Sequence, residues 1–165
     1  MSKQDLSHLL ILEAERRIFD ESYQRIYKCL DLLTEEQVWQ RPNENLSSIG
    51  NLILHLCGNA RQWIVSGLGV ELDSRNRDRE FQESSKCSKW KLKRMLDELK
   101  SEMKLVFQKM TEEELNRVRN VQVFEESGLS ILIHVIEHFS YHTGQITWFT
   151  KMLTNEDTKY YGKLN

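Results

Sequence analysis

Apolar residues recur at three- and four-residue steps through four stretches of the chain, the spacing of one face of an α-helix. The first, about residues 4 to 33, carries Leu9, Leu12, Phe19, Tyr23, Ile26, Leu30 and Leu33, with Arg16 as an interruption. The second is capped by Ser47 or Ser48, carries Ile49, Leu52, Leu56 and Trp63 to about Ser66, and is stopped by Gly67 and Gly69. The third, from about Lys89 to Met110, repeats Leu92, Leu96, Leu99, Met103, Val106 and Met110 opposite a face of lysine and glutamate. In the fourth, Leu129 to about Leu153, the stripe is Ile131, Val135, His138, His142, Gln145, Phe149 and Met152. Four amphipathic helices with matching stripes predict an all-α four-helix bundle.

The connections carry their own signals. Thr34 followed by Glu35, Glu36 and Gln37 has the form of a capping box, so a short helical turn carrying Trp39 starts there and runs to the break at Pro42. Thr111 to Glu114 repeats the pattern, and Val121, Val123 and Phe124 alternate as a short extended piece should. Residues 70 to 87 are charged and have no stripe, which predicts a long surface loop between helices two and three. One proline and seven glycines in 165 residues disfavour a sandwich of short strands.

Composition narrows the class further. With 39% hydrophobic and 29% charged residues the chain is too apolar for disorder, and no apolar run approaches the roughly 18 residues of a membrane span. The chain reads as one soluble domain covering residues 1–165. Its 23 basic and 25 acidic side chains nearly cancel, so no global field draws it to nucleic acid or to a membrane, and neither partner is expected. The basic run from Arg75 to Arg94 reads as solvated surface, and Trp39, Trp63, Trp90 and Trp148 read as core and interface aromatics. No secretion signal follows Met1, and Cys29, Cys57 and Cys87 are odd in number and widely spaced, which suits reduced thiols in a cytoplasm.

Candidate chemistry lies in the fourth stripe, where two histidines stand in for apolar residues. His138 and His142 are one helical turn apart, about 40° in projection, close enough to share an ion. His55 lies on the inward face of helix two with Leu52, Leu56, Asn59 and Trp63. A buried imidazole needs a partner for each ring nitrogen, and a metal would satisfy three rings at once. Three protein ligands with an open position are the pattern of a catalytic zinc-type site. The bland alternative is core histidines satisfied by ordinary hydrogen bonds. A second metal reading uses His134, Glu137 and His138 as HxxEH, the inverted zinc-protease spacing, but it leaves His142 and His55 without a role. Glu137 could instead orient a ligand histidine, with His134 beside the site. Cys57 points about 200° away from His55. No GxGxxG, Walker A or GxSxG sequence is present.

The inward histidine in NLILHLCGN, the later HFSYHTGQI, and the RNRDREF stretch of residues 75 to 81 together resemble the DinB-like superfamily of small four-helix metalloproteins, over nearly the whole chain. The resemblance implies an up-down-down-up bundle, commonly a homodimer, with a divalent ion such as zinc or nickel held by His55, His138 and His142. It does not imply one activity: relatives include transferases and isomerases that use a low-molecular-weight thiol, and others described as metal-dependent hydrolases. The leading expectation is a metal-dependent enzyme that activates a thiol, or a water, toward a small-molecule substrate. The alternative is a non-catalytic dimeric bundle that holds a metal or a small ligand.

Overall fold

Each long helix starts where a side chain accepts a hydrogen bond from one of the free amides of its first turn. Asp5, Ser48, Ser88 and Ser127 do this for Ser7, Asn51, Lys91 and Ser130. The computed structural model describes residues 5–69, 71–83 and 87–161; the expected start of the first helix at residue 4, and residues 70 and 84–86 of the expected loop, lie outside them.

The first rod is α1 (Leu6–Glu15), a π-helical stretch Arg16–Ser22 and α2 (Tyr23–Leu32). The π stretch corrects the expected stripe. Its wider turns, in which the Tyr23 amide reaches back to the Ile18 carbonyl, take in one extra residue and shift the buried face. Leu9 and Leu12 therefore turn toward solvent, and Ile11, Ala14 and Ile18 bury instead. Arg16, the interruption in the pattern, opens this stretch and is paired outside with Glu13 and Glu21. The short α3 (Glu35–Trp39) has the reciprocal capping box between Thr34 and Gln37.

The second rod is α4 (Ile49–Ala60) continued by a π turn, Arg61–Ser66. Next, α5 (Arg77–Gln82) replaces part of the expected loop. The third rod, α6 (Lys89–Phe107), ends three residues before the expected Met110. After α7 (Glu112–Asn116), strands β1 (Val118–Val121) and β2 (Phe124–Ser127) pair antiparallel, Val118 with Ser127 and Val121 with Phe124. The turn between them is helped by Gln122, whose φ of 58° matches the left-handed conformation of tight hairpins. The last rod, α8 (Gly128–Thr154), stops at Asn155, also left-handed with φ 54°.

Helix α8 packs on α2 and α4, and α6 also contacts both of these helices. The core they enclose includes Phe19, Tyr23, Ile53, Leu56, Leu96, Leu99, Phe139 and Ile146. On α8 the buried face is centred on Phe139 and Ile146, so Gln145 and Met152 of the expected stripe are exposed. Trp39 and Trp63 are buried, whereas Trp90 and Trp148 are mostly exposed. All three cysteines are free, and no helix among the described residues is long and apolar enough to cross a membrane.

Candidate metal centre

The contact of α4 with α8 brings His55 against His138 and His142. One available nitrogen from each ring lies within 4.8 Å of the others. The ring centroids are 4.9 Å apart for His55 and His138, 5.0 Å for His55 and His142, and 4.5 Å for His138 and His142. Phe139, next in sequence to His138 and about 100° round the helix, packs with its ring 5.6 Å from that of Tyr23. A single helix thus supplies the core with one face and the site with the next.

Two of the rings are held from behind. His55 Nδ1 lies 2.9 Å from Glu80 Oε2, and His142 Nδ1 lies 2.6 Å from Gln145 Oε1. Either oxygen can accept a hydrogen bond from Nδ1–H, the tautomer that leaves Nε2 with its lone pair; Arg75 Nη2 also lies 3.1 Å from His55 Nδ1, between the ring and the Glu80 carboxylate it pairs with. His55 Nε2 and His138 Nε2 face one another at 2.9 Å. A proton on that contact satisfies two rings only. A divalent cation would satisfy all three, and the donor set, neutral imidazole nitrogens, fits zinc or nickel. Burial first, then the positive fields of His142, His55, His134 and Arg75, push the pKa of His138 down to about 3. Burial also lowers that of His142 against the opposing bond from Gln145. Both rings are therefore neutral, the form that binds a metal, at neutral pH.

The depressed pKa has a sign that can be checked. Unfolded His138 takes up a proton near pH 6.5, whereas the folded ring resists it to about pH 3. Between these values the unfolded state binds more protons, so stability is full above the window and falls as pH drops through it. Urea melts in the presence of a chelator should show this decline, and His138→Phe should flatten it; an unchanged slope in the variant would contradict the burial of His138.

The carboxylate that engages the His55 ring comes from the segment expected to be a surface loop. Asn76 caps α5, which packs along α4. Asn51 Nδ2 holds the Glu80 carbonyl at 2.9 Å, and Phe81 lies 4.8 Å from the His55 ring. Glu80 is buried, and Arg75 grips it twice, Nε to Oε1 at 2.7 Å and Nη2 to Oε2 at 2.9 Å. Burial alone would raise the Glu80 pKa, but the bonds from Arg75 and His55 outweigh it and hold the carboxyl below the usual range. The Arg75 side chain is only 5% exposed, so it is no solvated surface charge. The carboxylate bonded to a histidine of the cluster is therefore Glu80; Glu137 is exposed. His134 stacks at 4.0 Å on Trp63, with Asn59 Nδ2 3.4 Å from its Nε2, and lies outside the converging set.

One signal for Glu80 was present in the sequence. Gly58 is three residues after His55 on the same helical face, where glycine is disfavoured by about 1 kcal/mol relative to alanine. A Cβ there would lie 1.9 Å from Glu80 Oε1. The missing side chain makes room for the carboxylate.

The described residues form a helical bundle with a histidine cluster between two of its rods. The chain belongs to the family described as "Protein of unknown function (DUF1572)", whose model matches residues 7–162. Among solved structures, the DinB-like protein YjoA from Bacillus subtilis is 15% identical and superposes with a TM-score of 0.65, over 94% of this chain and 99% of that one. A DinB-like protein from Bacillus cereus is 18% identical with a TM-score of 0.67, over 87% of this chain and 90% of that one. A conserved protein from Enterococcus faecalis is 15% identical with a TM-score of 0.70, over 94% and 99%. These likenesses establish the fold. Comparison with curated protein sequences gives no match.

Proposed function

We propose that His55, His138 and His142 hold a divalent ion, zinc or nickel, and that the protein is a metal-dependent enzyme acting on a small molecule. The observation that carries this reading is the convergence of three imidazoles of which two already have Nδ1 engaged, so that their Nε2 atoms remain for an ion. When bound, such an ion would act as a Lewis acid that acidifies a thiol or a water. Transfer of a low-molecular-weight thiol to an electrophile is the preferred reaction, and hydrolysis the second. The thiol would have to come from outside. Burial pushes the Cys57 thiol up to about 12, too high for a nucleophile, and Cys29 is sealed in the core. Protein loaded with zinc or nickel, incubated with a panel of small thiols and an electrophile, should turn over and should lose that turnover in His142→Ala. Ion binding without turnover on thiol or ester substrates would favour the non-catalytic bundle instead. Free cysteines throughout agree with a cytoplasmic setting.

We also propose a homodimer through the outer face of α8. Ile133, Tyr141, Trp148 and Met152 share that face, and each is 44–63% exposed. Gly144 lies among them, and a Cβ there would meet nothing within 4 Å. Two copies paired antiparallel about Gly144 would set Glu137 of one opposite Lys151 of the other, because 137 and 151 are equidistant from 144. Sedimentation of the wild type should give twice the 19.7 kDa chain mass, and Trp148→Glu should give the monomer; a monomeric wild type would contradict the pairing.

A further inference from the structure

The cluster behind His55 is built more elaborately than a core histidine requires. Glu80 is clamped by Arg75, and Arg75 Nη1 continues to Gln62 Oε1 at 2.8 Å. Gln62 is in turn held by Asp73 at 2.6 Å and by Gln122 from the turn of the hairpin. The second rod, the 73–75 segment, α5 and the hairpin are thus joined in one hydrogen-bonded network, in which Arg75 and His55 touch the Glu80 carboxylate directly and Asp73 and Gln122 reach it through Gln62. That carboxylate has one imidazole partner among the described residues, and it sits where a side chain on Gly58 would otherwise reach.

We infer that Glu80, backed by Arg75 and admitted by Gly58, is the positioning residue of the site: it fixes His55 as the Nδ1-protonated tautomer and aims Nε2 at the ion. The inference rests on the metal reading above, with its own distinct point of failure. An imidazole free to flip or to change tautomer would present Nδ1–H, or a rotated ring, to the ion for part of the time. Ionised Glu80 accepts only from Nδ1–H, so it removes the unproductive states. Arg75 has a second task. Its guanidinium balances the carboxylate, so the pair adds orientation without adding net charge to the centre. Glu80 touches neither an ion nor a reacting atom and is not a catalytic residue.

Gly58 makes the test unusually specific, because Gly58→Ala touches no histidine and alanine is the stronger helix former. Its methyl group would have to displace Glu80 Oε1. In the full chain, zinc affinity is measured by competition with a chromophoric chelator for the wild type, Gly58→Ala, Glu80→Ala, Glu80→Gln and the Gly58→Ala/Glu80→Ala double variant. Removing such an orienting partner weakens metal binding by about 10–100-fold, and that loss is expected for Glu80→Ala and Gly58→Ala alike. The double variant should bind no more weakly than Glu80→Ala alone, since the methyl then displaces nothing. Glu80→Gln, which keeps an acceptor oxygen, should recover part of the loss. Nitrogen-15 NMR of the side chains should show His55 protonated on Nδ1 in the metal-free wild type and as a tautomer mixture in Gly58→Ala.

Wild-type affinity in both single variants, or losses that multiply in the double variant, would overturn the positioning role while leaving the metal site standing. If the wild type binds no zinc, the metal reading fails by itself and the NMR arm decides the cradle. His55 protonated on Nδ1 then supports it, and His55 protonated on Nε2 overturns it.

Discussion

His138→Ala is expected to weaken divalent-ion binding on the order of a hundred- to a thousandfold with little change in the stability of the metal-free fold. The magnitude follows from the ligand count. Zinc bound by a full set of four protein ligands contributes roughly 10–16 kcal/mol, or about 2.5–4 kcal/mol for each, and each 1.4 kcal/mol is about a factor of ten in affinity. The ring is half-buried at the edge of the cluster, and its polar contact is with His55 rather than with the backbone of another element. Truncation should therefore leave the core intact. Zinc titration against a competing chelator, with a urea melt of the metal-free protein alongside, measures both quantities. Unchanged affinity would show that His138 is no ligand. Collapse of the fold with the affinity would show that the three rings serve as ordinary core.

The neighbouring residue should behave in the opposite way. Phe139 is 1% exposed and rests on Tyr23, which meets Phe19 edge-on at 5.5 Å and Tyr27 at 6.0 Å. Phe139→Ala leaves a cavity where α8 packs on the first rod, and truncations of this kind cost about 3–5 kcal/mol. The urea midpoint should fall accordingly, and a loss below about 1 kcal/mol would contradict the packing described. The two substitutions together separate the functions of adjacent residues on one helix. One removes a donor and spares the core; the other opens the core and spares the donors.

Much of this arrangement is legible in the sequence because it depends on local periodicity. The four rods and the inward histidines on α4 and α8 follow from steps of three and four residues, and the Ser48 cap from its place just before the second stripe. Local periodicity fails where the backbone departs from 3.6 residues per turn. At Arg16–Ser22 the π stretch moves the buried face by one residue, and Leu9 and Leu12 are exposed as a result. It also fails where burial is created by pairing. Arg75 and Glu80 look like surface charges in a charged stretch, and only the fold shows that each makes the burial of the other tolerable. Gly58 was the local clue, but its meaning depends on α5 lying against α4, which no spacing reveals. Trp90 and Trp148 show the converse, since large aromatics carry no label that distinguishes a core from an outer face.

The metal content of protein expressed and purified without a histidine tag tests the central claim most directly. Elemental analysis of the wild type should find close to one zinc or nickel per chain, and a His55→Ala/His138→Ala/His142→Ala variant prepared in parallel should have neither. Equal metal in the two preparations, whether high or absent, would mean that the three converging imidazoles are core histidines and not a metal centre.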